Sequence, residues 1–148
     1  MKKTRISDAR GVVAAFALGA EGVQLGTRFV AVEENIAHTN YKRAVIEAQD
    51  VDTVITCRQI VPTRSLKTKF TNRLTELEDS GASVQDLMDF IGYRRNRIAQ
   101  IQGHLDKGEA YCGASAGLIK EALTVQEVVH SLIKGYEKIV KELPQSLK

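Results

Sequence analysis

A glycine and a hydroxyl residue, Gly26 and Thr27, end the short apolar run within the stretch GAEGVQLGTRF, Gly19–Phe29. Backbone N–H groups at the C-terminal end of a strand, next to a helix start, form a cradle for a phosphate. Gly26 would let the backbone come close, and Thr27 would add a hydroxyl donor. An ordinary turn is the competing reading, and the pair alone does not separate the two.

Other residue types that carry chemistry are sparse and scattered. His38 lies in IAHTNYK and reads as a surface or helix-capping residue. His104 follows Gly103 in a polar loop and His130 falls near an apolar helical stripe, so both read as structural. No hydroxyl or carboxylate stands near any of the three in a nucleophile–base arrangement. Cys57 and Cys112 are far apart and near no His at metal-ligand spacing, which suggests neither a zinc site nor a disulfide framework. Cys112, in the small-residue loop YCGASAG, reads as a buried small residue rather than a reactive thiol. Tyr93 and Tyr111 read as core packing, with contact to a ligand as the other reading.

The elements that position these residues follow from caps and periodicity. Ser7 and Asp8 are good N-cap residues for a buried helix over Ala9–Leu18, and Gly19 fits the position just past its end. GVQL, residues 22–25, then reads as a four-residue parallel strand buried on both faces. Residues 40–49 read as helix, DTVITC as a short extended piece, and Pro62 as a break. Leu66, Phe70, Leu74 and Leu77 share one helical face. Ser83 caps a helix carrying Val84, Leu87, Met88 and Ile91, and RRNRIAQI forms a further helix that stops near Gly103. DKGEAYCGASAG is a loop of small residues. The final helix, Thr124 to Leu143, carries an apolar stripe that includes Val128, Leu132, Tyr136 and Val140, and Pro144 ends it.

Composition bounds the class. The 148 residues suit one domain with a modest core, at 43% apolar and 26% charged. Net charge is +3 with Lys and Arg interspersed among Asp and Glu, so no basic stripe argues for nucleic acid. The longest apolar stretch, GVVAAFALGA, is too short to span a bilayer, and no convincing cleavage site follows Met1-Lys2-Lys3. The expectation is a soluble cytoplasmic protein acting without nucleic acid or membrane.

Three segments together are more specific than any one motif. DARGVVAAFALGAEGVQLGTRFVAVEE, AHTNYKRAVIEAQDVDTVIT and GASAGLIKEALTVQEVV, in that order, resemble the FMN-dependent nitronate monooxygenase family. That family also contains the FMN-type enoyl-acyl carrier protein reductases. The resemblance runs from about Ile6 to the C-terminal helix. It implies an α/β ancestry: the C-terminal part of a TIM-type (β/α)8 barrel followed by a helical extension, so that this chain is itself predominantly α-helical. Residues 1–32 would be the last βα unit, with the seventh helix and eighth strand, and residues 33–148 the extension over the active site. Gln24, Leu25, Gly26 and Thr27 match the family's QLGT, which holds the FMN phosphate.

The departures from the family pattern are equally specific. The family's second phosphate element is a Gly-Gly pair before I-x-D-x-R-G, and Thr4-Arg5 stands there in this chain. The family's Gly-Gln pair in the later loop is replaced by Gly113-Ala114. The family's catalytic histidine lies on strands this chain does not carry, so no catalytic residue and no metal ligand is assigned. A full barrel takes roughly 250 residues. The resemblance implies a small-molecule substrate, a nitronate or an enoyl thioester. A lone buried strand cannot complete a sheet, so the chain is expected either as a homo-oligomer or with a complementing N-terminal chain. An inactive truncated chain is the remaining reading.

Overall fold

The computed structural model describes residues 6–143. The architecture is helical: α1 (Ala9–Ala17), α2 (Thr27–Val30), α3 (Thr39–Glu47), α4 (Lys69–Asp79), α5 (Val84–Ile91), α6 (Arg95–Gln100) and α7 (Val125–Glu142). Between α3 and α4 a hairpin of β1 (Thr53–Thr56) and β2 (Thr63–Leu66) pairs antiparallel, with Thr53 opposite Leu66 and Thr56 opposite Thr63. The predominantly helical character expected of the chain is what forms.

Local chemistry sets the helix starts. The Asp8 carboxylate accepts the Gly11 N–H at 3.1 Å and caps α1. Thr68, Ser83 and Thr124 each close a reciprocal capping box at the start of α4, α5 and α7. Gly19 takes a φ of +85° just past α1, a left-handed turn that costs a glycine little, as its position predicts. Thr4, Arg5 and Pro144 fall outside the described residues.

Two expectations are corrected. Residues 22–25 form no strand: among the described residues nothing pairs with them. An apolar run becomes a strand only when a neighbour accepts its backbone groups. Here Val23 and Leu25 instead pack against the small core of Ile6, Val12 and Ala15. Leu66 does not extend the helical face of Phe70, Leu74 and Leu77; it ends β2, and the helix starts after the Thr68 cap.

Helix α7 lies across α1. Leu132 and Tyr136 pack against the Ile6–Val12–Ala15 cluster, and Phe16 meets Tyr136 edge to face at 5.7 Å between centroids. Only the half of the α7 stripe that faces α1 is covered. Val125, Val129, Ile133, Val140 and Leu143 remain exposed, as does Leu18 at 87%. A second core gathers Tyr41, Val45, Leu66, Ala116 and Ile119, and a third joins Cys57, Phe70, Leu74 and Leu87.

Candidate phosphate site

Gly26 is the N-cap of α2, with φ −107° and ψ −72°, and no side chain caps this helix start. Among the described residues the N–H groups of Gly26, Thr27 and Arg28 have no hydrogen-bond partner, whereas those of Phe29 and Val30 donate to the Gly26 carbonyl at 2.9 Å and 3.2 Å. The space in front of Gly26 is open: a Cβ added there would meet nothing within 4 Å. Thr27 is half-buried, and its Oγ1 accepts the Gly113 N–H at 2.8 Å. With its oxygen so engaged, the Thr27 hydroxyl is oriented to donate its proton elsewhere.

The loop carrying Gly113 completes one wall. Ser115 leads away from it in a short 3-10 turn, Ala114–Leu118, and its Oγ accepts the Ser7 hydroxyl at 2.8 Å. Ser7 is buried. A Cβ on Gly113 would stand 3.2 Å from Thr27 Oγ1 and 3.9 Å from Ser115 Oγ, so both hydroxyl oxygens border the same small space. Beside it, a cavity of about 380 Å³ is lined by Ser7, Asp8, Arg28, Glu121 and Leu132, among others. Arg28 is 7% exposed and donates to the Glu121 carbonyl at 3.0 Å. Burial lowers the Arg28 pKa, and the Glu121 charge opposes that.

Of the four residues matched to the phosphate motif, Thr27 meets the Gly113 loop, Gly26 is exposed with open space before it, Leu25 is drawn toward the α1 core, and Gln24 is exposed. His38 caps α3, its Nδ1 accepting the Asn40 N–H at 3.1 Å, as expected. His104 and His130 are exposed. Cys112 is buried, and burial pushes its thiol up to about 12, which keeps it protonated and inert as its sequence context predicts. The expectation of core packing fails for the tyrosines. Tyr93 is 84% exposed beneath the Arg94 guanidinium, and Tyr111 is partly exposed where its backbone bridges to Ser65.

Sequence reasoning missed a buried carboxylate. Glu109 is 4% exposed, and its Oε1 accepts the hydroxyls of Thr56 at 3.1 Å and Thr63 at 3.3 Å, with the Cys57 thiol at 3.8 Å. The threonines at one end of the hairpin were the available signal. Their hydroxyls supply two donors to this buried carboxyl group.

The site is thus a hydroxyl- and N–H-lined turn at the edge of a helical domain, a geometry suited to an oxyanion. The sequence profile of the nitronate monooxygenase family matches residues 5–135. The chain belongs to the nitronate monooxygenase family, a family of oxidoreductases. It is 39% identical over 77 residues to a probable nitronate monooxygenase from Staphylococcus saprophyticus, covering 50% of this chain and 21% of that protein. FabK from Thermotoga maritima superposes with a TM-score of 0.89 at 37% identity, over 95% of this chain and 45% of the other. A nitroalkane oxidase from Streptomyces ansochromogenes gives 0.73 at 25% identity, over 93% and 39%. The chain therefore spans less than half the length of each of these proteins. Among the described residues no helix is long and apolar enough to cross a membrane.

Proposed function

We propose that this chain supplies the phosphate-holding edge of an FMN-dependent oxidoreductase acting on alkyl nitronates. The carrying observation is the Thr27 hydroxyl, which accepts the Gly113 N–H and has no acceptor for its own proton among the described residues, beside the open backbone of Gly26. Gln24, Leu25, Gly26 and Thr27 form the turn, the backbone N–H groups of Gly26 and Thr27 donate to the phosphate, and the Thr27 hydroxyl adds a third bond. FMN, when bound, would carry electrons from substrate to oxygen. On this reading residues 1–32 are the last βα unit of a TIM-type barrel and residues 33–148 the helical extension. Strands from the rest of a barrel would then give residues 22–25 the ladder they lack here.

The likeness to FabK favours a second reading, reduction of an enoyl thioester with a nicotinamide cofactor. A third, a chain with no activity alone, draws on the uncovered apolar residues of α1 and α7. It makes the chain a homo-oligomer or the partner of a chain carrying the remaining strands. FMN titration followed by flavin fluorescence, beside light scattering for the oligomer, tests the common element. Saturable binding that Gly26→Asp abolishes is expected, because the new carboxylate repels the phosphate. Absence of binding, or binding that survives Gly26→Asp, refutes the site. Where binding holds, nitronate-dependent oxygen uptake set against enoyl-thioester-dependent nicotinamide oxidation separates the first two readings.

A further inference from the structure

We infer that Ser115, backed by Ser7, is a second phosphate-binding hydroxyl opposite Thr27, so that the loop at Gly113 does the work of the glycine pair replaced by Thr4-Arg5. The inference rests on the phosphate reading of the Gly26–Thr27 turn and adds residues to it. Two hydroxyls flank one small space: Thr27 Oγ1 and Ser115 Oγ stand 3.2 Å and 3.9 Å from the point where a Gly113 Cβ would be. Each oxygen is already engaged as an acceptor, Thr27 by the Gly113 N–H and Ser115 by the Ser7 hydroxyl, both at 2.8 Å. Among the described residues neither hydroxyl donates to a protein acceptor.

A hydroxyl whose lone pair is occupied by a donor must aim its own proton away from that donor. Two such protons bordering the same space form a pincer for a single strong acceptor, and a phosphate monoester oxygen is one. Ser7 does not reach the ligand; it is a positioning residue that sets the Ser115 rotor. A side chain at Gly113 would crowd the two hydroxyls, its Cβ standing 3.2 Å from Thr27 Oγ1. The Gly113 N–H also makes the Thr27 bond, so the loop both orients one hydroxyl and brings the other.

The test compares FMN with riboflavin, which lacks the phosphate, on the purified chain and on folded Ser115→Ala, Ser115→Thr and Ser7→Ala variants. Ser115→Ala should weaken FMN by roughly tenfold to a hundredfold, the range for a hydrogen bond to a charged group, and leave riboflavin unchanged. Ser115→Thr, which keeps the hydroxyl, should retain most of the FMN affinity. Ser7→Ala should give a smaller loss, again confined to FMN. If Ser115→Ala binds FMN like the parent while Gly26→Asp does not, the Ser115 assignment falls and the Gly26–Thr27 reading stands. If the parent chain discriminates against neither flavin, or binds neither, both fall.

Discussion

The α1–α7 crossing offers the sharpest test of the packing beneath the site. Gly135 faces Ala9 so closely that a Cβ at position 135 would lie 2.5 Å from the Ala9 Cβ. Carbon atoms prefer about 3.5–4.0 Å, so Gly135→Ala must push the helices apart by about 1 Å. Overpacking of this kind costs about 2 kcal/mol. Replacing glycine by alanine inside a helix returns about 1 kcal/mol of propensity. The balance is a destabilisation of about 1 kcal/mol, or roughly 2–4 °C in Tm for a chain of this size.

The double variant Ala9→Gly/Gly135→Ala moves the methyl from one helix to the other. It should recover most of the packing loss, a coupling of about 2 kcal/mol in a urea-denaturation cycle. Ala9 is two residues from Ser7, so Gly135→Ala should also weaken FMN relative to riboflavin, and the double variant should restore it. A Gly135→Ala protein more stable than its parent by the full propensity gain would mean that the helices do not cross here. α1 would then not be seated against α7 at Ala9 and Gly135.

Further outcomes follow from individual groups. Val128 is fully buried, and Val128→Ala should cost about 2 kcal/mol in urea melts. Partial burial raises the Asp8 pKa, but hydrogen bonds from Arg10 and the Gly11 N–H together outweigh it and hold the carboxyl below the usual range. The folded value is therefore lower than the unfolded one, so this stabilisation is complete above about pH 4 and is lost as pH falls through the lowered value. Thermal melts between roughly pH 2 and pH 5 should be flatter for Asp8→Asn than for the parent, and equal slopes would contradict the cap. Burial raises the thiols of both Cys57 and Cys112, so neither should react with a thiol reagent at mildly alkaline pH until urea unfolds the chain, when both react.

What was legible in the sequence is what is decided locally. The caps at Asp8 and Ser83 and the glycine turn at Gly19 each depend on a few adjacent residues, and all form as the chain reads, while Thr124, read as the first residue of the last helix, is its N-cap. β2 was not legible, because its Thr-Arg-Ser-Leu carries no alternation and exists only by pairing with β1 and Tyr111. The opposite case at residues 22–25 has the same cause: an apolar run reads as a strand, and among the described residues no partner lies beside it. In the site, the glycine and threonine of the turn were visible as a motif. Ser7 and Ser115, separated by 108 positions, carry no periodic signal and meet only in the fold.

That meeting point depends on anchors on either side of the loop rather than on the turn itself. Helix α2 has four residues, too few to hold its own shape in water. Upstream, the Cys112 N–H donates to the Arg64 carbonyl at 2.9 Å, and the Tyr41 hydroxyl donates to the Tyr111 carbonyl. Downstream, Arg28 holds the Glu121 carbonyl at 3.0 Å, the Glu33 N–H holds Leu123 at 3.0 Å, and the Glu34 carboxylate accepts the Val125 N–H at 2.9 Å. Between these anchors Ala116 and Ile119 are buried in the Tyr41–Val45 core and hold the segment's path beside Thr27. Arg28 has a double part in this, since it follows Thr27 directly and reaches across to the far anchor. Arg28→Lys would lose the planar guanidinium that spans to Glu121, and the Gly113–Ser115 wall would loosen without any change at Gly26 or Thr27. FMN affinity should fall in that variant while a phosphate-free flavin is unaffected, and an unchanged affinity would show that the loop is held without this clamp.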